Sequence, residues 1–190
     1  MPKERRAFTM MRLFTGLELP PDIALDLNFM QGGIMGARWI DRESFHITLR
    51  FIGDIDRTLG REVAEALDDA DFQPFPISIK SIDVFGGNKP HAIIARLEEN
   101  AELIRLQAAQ ERICQSLGLE PEGRKYIPHV TLARLRDANP RALRSFIESH
   151  ALYRSRPFMI ERFVLFSSKP LRGGGPYAVE ETYGQASIYA

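Results

Sequence analysis

The apolar residues of this chain recur with two different periods, and the stretches that follow each period alternate along the sequence. Stretches with an apolar side chain at every second position predict β-strands, because strand side chains alternate between the two faces of a sheet. Stretches with apolar side chains three or four positions apart predict amphipathic helices. The predicted strands cover about 12–19, 37–40, 44–52, 76–85, 91–97, a stretch beginning near 127, 157–167 and 177–183, and the predicted helices about 22–31, 57–70, 101–117 and 140–149.

Short turns between several of these strands indicate an antiparallel or mixed sheet. The Gly- and Pro-containing stretch 86–90 separates strands 76–85 and 91–97, as expected for a hairpin. Strands and helices do not alternate one for one, which argues against a doubly wound parallel sheet. Glycines 173–175 lack the lysine and the helix that follow a phosphate-binding loop, so we interpret them as a turn. We therefore expect an α+β fold.

One short pattern occurs twice, 83 positions apart: His46-Ile47-Thr48-Leu49 and His129-Val130-Thr131-Leu132. Each copy contains a histidine, a β-branched aliphatic residue, a threonine and a leucine. Because side chains alternate along a strand, the histidine and threonine of each copy share one face and the two aliphatic residues share the other. A polar face must be hydrogen-bonded or exposed, and a groove between two sheets would allow both.

Two histidines, two threonines and nearby arginines favour acid–base chemistry on a phosphate. Two imidazoles are too few ligands for a protein zinc site, and no further ligand-type residue stands at a suitable spacing. A threonine nucleophile would lack a third residue to orient its base. An imidazole titrates near pH ~6.5, so one histidine can be protonated while the other is neutral. Hydroxyls and a guanidinium bind oxyanions, and the set suits in-line displacement at a phosphodiester.

Composition narrows the classes of partner. The 44% apolar and 26% charged residues are those of an ordinary globular protein, and 25 basic residues balance 25 acidic ones. Zero net charge argues against holding long nucleic acid by bulk electrostatics, although a few arginines suffice for a strand end. The single cysteine, Cys114, lies on the apolar stripe of a predicted helix, and we expect a buried, unreactive thiol. No targeting segment and no apolar run of ~18 residues is found, so we expect a cytoplasmic protein without a membrane span.

The duplicated motif resembles the paired motifs of the two-histidine phosphoesterase superfamily. Other stretches are similar to its RNA 2′,3′-cyclic phosphodiesterase branch, long labelled 2′-5′ RNA ligase. This resemblance extends over nearly the whole chain from about residue 11. The similar stretches are 12–14, 17–20, 38–40, 45–53 and 128–134.

The resemblance implies one bilobal domain over 11–190, in which two pseudo-symmetric lobes place the motifs 46–49 and 129–132 on the walls of a central cleft. It implies that the protein opens a 2′,3′-cyclic phosphate on an RNA end to leave a 2′-phosphate, and that it needs no metal or cofactor. Some members of the family also join 2′-5′ linkages. By the family pattern His46 and His129 are the catalytic pair, and Thr48, Thr131 and Arg134 bind the phosphate. We assign His46 as the acid and His129 as the base, and the near symmetry of the motifs leaves the converse open.

The position of Arg134 does not follow from regular pleating. It is five residues after His129, so strict alternation places it on the opposite face of the strand. It reaches the phosphate only if the strand bulges or ends near residue 133, or if its side chain extends round from the rim. Arg50, four residues after His46, stays in phase with its motif and is a second candidate.

Several further expectations complete the prediction. Residues 1–10 are expected to form a disordered extension, and the remainder a monomer that acts on RNA 3′ ends. Phe45 or Tyr126 could stack on the terminal base, although core packing suits both. Two alternatives stay open: an RNA-end binding protein without catalysis, or a phosphodiesterase acting on small cyclic nucleotides or 2′-5′ oligonucleotides. A binder alone needs no acid–base pair, so the complete motifs favour an enzyme.

Overall fold

The structure, a computed structural model, describes residues 10–169 and 175–184. Within these residues the chain forms four α-helices and ten β-strands, which confirms the α+β class. The expected disordered extension lies outside the described residues except for Met10, which begins the first strand, and so do two of the three glycines at 173–175. The helices are α1 (Pro21–Phe29), α2 (Arg57–Ala66), α3 (Ala101–Ser116) and α4 (Pro140–Ser149). The strands are β1 (Met10–Glu18), β2 (Ala37–Trp39), β3 (His46–Asp56), β4 (Phe75–Ile77), β5 (Ile79–Phe85), β6 (Ala92–Leu97), β7 (His129–Leu135), β8 (Phe158–Ile160), β9 (Arg162–Ser168) and β10 (Ala178–Gly184).

Eight of the strands form one antiparallel sheet made of two halves. One half has the order β10-β9-β1-β3, and the other has the order β5-β6-β7, with β2 pairing on the remaining edge of β7. The two halves join through a single residue pair, Ile47 of β3 with Val130 of β7. The motif strands are therefore neighbours at one position only, and a cleft lined by both begins beside it.

Two stretches predicted as single strands are each divided in the structure. The stretch 76–85 separates at Ser78 into β4 and β5, and the stretch 157–167 separates at Glu161 into β8 and β9. The short strands β4 and β8 leave the large sheet and pair with each other. Apolar periodicity did not predict the first break, because Ile77 and Ile79 are buried on either side of it and the alternation continues.

Local side-chain chemistry sets the start of the helices that cover the sheet. Asn100 accepts a hydrogen bond from the Leu103 N–H at 2.8 Å and caps α3. Asn139 caps α4 in the same way, and Pro140 is the first helical residue. Helix α3 packs against β3. It carries Cys114, which is fully buried as expected, and burial raises the pKa of its thiol.

No helix in the described part of the chain is long and apolar enough to cross a membrane.

Candidate active site

A bulge in β7 turns Arg134 to the same side as the second motif. Thr131 and Ala133 pair with two consecutive residues of β6, so Leu132 is an extra residue in β7. An extra residue shifts the alternation of faces by one position for everything beyond it. His129 and Thr131 are half-buried, Leu132 and Ala133 are both buried, and Arg134 is exposed. Of the possibilities left open by the sequence, the structure shows the bulge.

The first motif strand has the same bulge, with the opposite consequence for Arg50. Thr48 and Arg50 pair with consecutive residues of β1, so Leu49 is the extra residue. Arg50 is thereby turned into the core, where its Nε lies 2.5 Å from Glu111 Oε2 and only 6% of its side chain is exposed. The interpretation of Arg50 as a phosphate contact is therefore wrong. The position equivalent to Arg134 is Phe51, whose side chain is 46% exposed.

The two motif histidines make equivalent hydrogen bonds. His46 Nδ1 lies 2.8 Å from the carbonyl oxygen of Ser44, and His129 Nδ1 lies 2.7 Å from that of Ile127. A carbonyl oxygen only accepts hydrogen bonds, so each Nδ1 must carry the proton. In its neutral form each ring then leaves Nε2 as an unprotonated nitrogen, available as a base, and in its charged form it offers an N–H there. The fixed tautomer makes both rings suitable for proton transfer.

The surroundings of His46 are more aromatic than those of His129. The His46 ring lies 4.8 Å from the ring of Phe14 and 5.0 Å from that of Tyr177, centroid to centroid. A Cβ added at Gly16 would lie 2.9 Å from the Ile47 carbonyl oxygen and 3.6 Å from the His46 ring, so the absence of a side chain there lets β1 approach the motif. Among the described residues His129 has one such neighbour, Phe85, at 4.8 Å.

Burial lowers the pKa of both histidines below the ordinary value. For His46 the burial is the largest cause, the Ser44 carbonyl opposes it, and the positive charges of His129 and Arg134 lower the pKa further. For His129 burial again dominates, the Ile127 carbonyl opposes it, and Arg134 and Arg96 add to the lowering. Both rings therefore favour the neutral form in the free protein, and a bound anion would favour the charged form.

Arginines line the cleft that both histidines face. The cleft has a volume of about 630 Å³, within the range of about 300–1,000 Å³ that is typical of ligand pockets. Arg12 donates two hydrogen bonds to the carboxylate of Asp54, so its charge is neutralised. Arg38 of β2 pairs in register with Arg134 of β7, and both line the cleft. Within residues 10–169 and 175–184 neither Arg38 nor Arg134 has a hydrogen bond or ion pair, so both guanidinium groups are available to an anion.

The structure brings together the two histidines, the two threonines and the second-motif arginine that were predicted from the sequence as the site. His46, Thr48, His129, Thr131 and Arg134 all line this one cleft. Both threonines are half-buried, so their hydroxyls are partly accessible. The cleft therefore presents two imidazoles, two hydroxyls and a guanidinium to one bound group.

The candidate stacking residues have other positions. Phe45 is 7% exposed and belongs to the core. Tyr126 donates a hydrogen bond from its hydroxyl to the Thr48 carbonyl at 3.0 Å, which steadies the motif backbone, and burial raises its pKa. Phe14, Phe51 and Tyr177 line the cleft instead.

The site residues that sequence reasoning missed are Arg38 and these cleft aromatics. Arg38 belongs to one of the stretches that resemble the family, but its proximity to Arg134 arises from pairing between β2 and β7, which local periodicity does not show. Phe51 was missed because strict alternation placed it with the core residues of β3. In the described portion of the chain no three His, Cys, Asp or Glu side chains are grouped so that they could hold a metal ion.

Comparisons with known proteins identify the family of the chain and relatives of its fold. The family described as LigT-like phosphoesterase matches the chain over residues 17–95 and again over 96–177, once for each motif. A relative from Methanocaldococcus jannaschii named RNA 2′,3′-cyclic phosphodiesterase is 26% identical over 172 residues, covering 89% of this chain and 98% of the relative. A relative of the same name from Aeropyrum pernix is 37% identical over 101 residues, covering 52% of this chain and 57% of the relative. The crystal structure of E. coli LigT complexed with 3′-AMP is similar in fold, with a TM-score of 0.72 at 18% identity, covering 92% of this chain and 98% of that one.

The duplicated fold and the cleft with one histidine from each half define a phosphoesterase with an internal repeat. The two family matches together span most of the chain and divide it between the motifs. The chain belongs to the LigT-like phosphoesterase family, as its motifs implied.

Proposed function

We propose that this protein opens the 2′,3′-cyclic phosphate at the end of an RNA strand and leaves a 2′-phosphomonoester. The observation that carries the proposal is the pair of imidazoles, each held at Nδ1 by a backbone carbonyl, on a cleft with two arginines that are unpaired among the described residues. The relatives from M. jannaschii and A. pernix are named for this activity, which supports the choice of substrate.

The reaction needs one proton accepted and one proton donated. His129 Nε2 takes a proton from water, whose oxygen attacks phosphorus, and the P–O3′ bond breaks as His46 Nε2–H protonates O3′. The products are a 3′-hydroxyl and a 2′-phosphate, and a proton exchanged with solvent restores each histidine. Each transfer of this kind contributes about 10²–10⁴ to the rate.

The remaining cleft residues stabilise charge that develops on the phosphoryl oxygens. The hydroxyls of Thr48 and Thr131 and the guanidinium of Arg134 donate hydrogen bonds to the non-bridging oxygens. Arg38, paired in register with Arg134, adds a second positive charge on the same side. Donors that are already in place at the start of the reaction stabilise the transition state without reorganisation.

One histidine must act as the acid and the other as the base. A general acid must carry a proton, and the burial of His46 opposes the charged form by lowering its pKa. The anionic substrate offsets this, because a phosphate placed between the two rings raises the pKa of both. We keep His46 as the acid and His129 as the base.

A substrate with sulfur in place of O3′ tests that division. A thiolate leaves without protonation, so a variant that lacks only the acid should recover activity on this substrate. We expect His46→Ala to be rescued and His129→Ala to stay inactive. Rescue of His129→Ala alone would exchange the two roles, and rescue of neither variant would remove leaving-group protonation from the mechanism.

A substrate panel separates the proposed activity from its alternatives. Oligonucleotides with a 2′,3′-cyclic end, cyclic mononucleotides and 2′-5′ oligonucleotides are each incubated with the protein, and products are identified by mass and by phosphatase sensitivity. Conversion of the cyclic end to a 2′-phosphate with the highest kcat/KM supports the proposal. Tight binding without turnover would indicate an RNA-end binding protein, and preference for another substrate would indicate a different phosphodiesterase.

A further inference from the structure

A short helical turn supports the carbonyl that holds His46. Ser44 ends the 3₁₀ helix Arg42–Ser44, and its N–H donates a hydrogen bond to the Asp41 carbonyl at 2.8 Å. Hydrogen bonds between residues three apart are those of a 3₁₀ turn. The carbonyl that orients the first imidazole is therefore placed by bonds within its own turn.

The carbonyl that holds His129 lacks this local support. Ile127 lies in the segment 117–128, which connects α3 to β7 within the described part of the chain and forms neither helix nor strand. Its carbonyl oxygen lies 2.7 Å from His129 Nδ1. Backbone of this kind gains nothing from a helix or a strand ladder, so its position depends on the bonds that it makes to neighbouring elements.

Tyr126 ties this segment to the first motif strand. Its hydroxyl donates a hydrogen bond to the Thr48 carbonyl at 3.0 Å. Among the described residues β3 pairs with β7 only through Ile47 and Val130, so beyond that pair the Tyr126 side chain continues the connection between the two halves of the sheet. Burial raises the pKa of Tyr126, so its phenol keeps its proton and remains a donor near neutral pH.

The Thr48 end of this bond is fixed independently. Thr48 pairs in register with Gly16, and β3 pairs with β1 over its whole length. A strand held in this way keeps its position when one side-chain bond is removed. The Thr48 carbonyl is therefore the anchor, and the irregular segment is the part that it holds.

The Ile127 peptide lies between two restraints. On one side is the bond from Tyr126 to β3, and on the other the Leu97 N–H donates a hydrogen bond to the Pro128 carbonyl at 3.1 Å. Without the Tyr126 hydroxyl the peptide is restrained from one side only. Its carbonyl can then turn away from the imidazole that it orients.

We propose that Tyr126 is a positioning residue for His129: its hydroxyl fixes the segment that carries the Ile127 carbonyl, and that carbonyl fixes the imidazole. This role rests on the proposed function, because a misplaced base is detected as slower hydrolysis. Misplacing a group that acts in the transition state lowers the rate of reaction more than the affinity for substrate. Tyr126 should therefore affect kcat more than KM.

Tyr126→Phe removes the hydroxyl and keeps the ring. On an oligonucleotide with a 2′,3′-cyclic end it should lower kcat roughly five- to tenfold and change KM by less than about twofold. Tyr183→Phe is the matched control, because the Tyr183 hydroxyl donates to the Ala64 carbonyl at 2.8 Å and neither residue lines the cleft. Each variant should lower Tm by about 1–6 °C, and Tyr183→Phe should leave kcat unchanged. An equal fall of kcat in both variants would make the effect one of general stability and would overturn the proposed role.

Single-turnover rates in two further backgrounds identify the histidine through which Tyr126 acts. In His46→Ala, adding Tyr126→Phe should lower the rate by the same factor as in the wild type, because the positioned base is still present. In His129→Ala it should lower the rate by less than about twofold, because the residue that it positions is absent. Equal factors in both backgrounds would contradict a role through His129.

A measurement without turnover separates the role of Tyr126 from the proposed function. Two-dimensional proton–nitrogen NMR spectra report the proton on each histidine ring, and the signals of His129 are assigned by their loss in His129→Ala. Tyr126→Phe should shift the His129 signals and leave those of His46 unchanged. Unchanged His129 signals, or equal shifts of both rings, would overturn the role. If no cyclic substrate is opened, the proposed function fails, and a shift confined to His129 would still support the placement of its ring by Tyr126.

Discussion

Replacing Arg134 should slow catalysis without destabilising the fold, and replacing Arg50 should have the converse effect. The two arginines follow their motif histidines by five and four positions, yet the bulges place Arg134 on the cleft and Arg50 in the core. This pair of variants therefore tests whether the bulged register, rather than regular alternation, decides which arginine binds the phosphate.

The size of each effect follows from the contacts. Losing a charged donor to the phosphate costs about 1.5–3 kcal/mol in the transition state, so Arg134→Ala should lower kcat/KM roughly 10- to 150-fold. Its unfolding free energy should change by no more than about 0.5 kcal/mol, because the side chain is exposed. Arg50→Met leaves the buried Oε2 of Glu111 without its partner and should cost about 3–5 kcal/mol, or roughly 6–20 °C in Tm.

The assay combines kinetics with thermal unfolding. kcat/KM is measured on an oligonucleotide with a 2′,3′-cyclic end, and Tm is measured by circular dichroism on the same samples. Arg134→Lys serves as a conservative control and should recover part of the activity, since an ammonium supplies the charge but not the two-point geometry. An Arg134→Ala variant with wild-type kcat/KM, or an Arg50→Met variant with wild-type Tm, would show that the bulges do not decide which arginine binds the phosphate.

Three further predictions concern protons and metals. Because burial lowers the pKa of both histidines, a plot of kcat/KM against pH should be bell-shaped, with its maximum below the ordinary imidazole pKa of about 6.5. The maximum of kcat should lie at higher pH, because the bound anion raises the pKa of both histidines. A flat profile would count against paired imidazoles. Because the pKa of His46 is lowered in the folded state, the stabilisation by its neutral ring is present above about pH 6.5 and is lost as the pH falls through the folded-state pKa. The unfolding free energy of His46→Gln, measured with urea, should therefore fall less between pH 7 and pH 5 than that of the wild type. Equal losses would argue against a buried neutral ring. Excess chelator should leave the rate unchanged, and a loss of activity that zinc restores would require a metal.

Much of the fold and the core of the site could be predicted because both depend on local patterns. The alternation in the two motif strands placed each histidine on the same face as its threonine, and the repeat itself indicated one site built from two halves. Apolar periodicity found the four helices and the paired strands near their observed bounds. These features need only the sequence of the element itself.

The parts that could not be predicted depend on contacts between distant elements. The bulges at Leu49 and Leu132 appear only in the register with β1 and β6, so alternation gave the wrong face to Arg50 and to Phe51. The break at Ser78 arises because β4 pairs with β8, a stretch some 80 residues further along the chain. The monomeric state and the ligase reaction stay predictions.

In the proposed reaction His46 and His129 together transfer the two protons. The most direct test measures single-turnover hydrolysis of an oligonucleotide with a 2′,3′-cyclic end by His46→Ala and His129→Ala, with circular dichroism to show that each variant is folded. Each variant should lose a factor of about 10²–10⁴ in rate while its spectrum matches that of the wild type. Hydrolysis at the wild-type rate by either folded variant would contradict the paired mechanism.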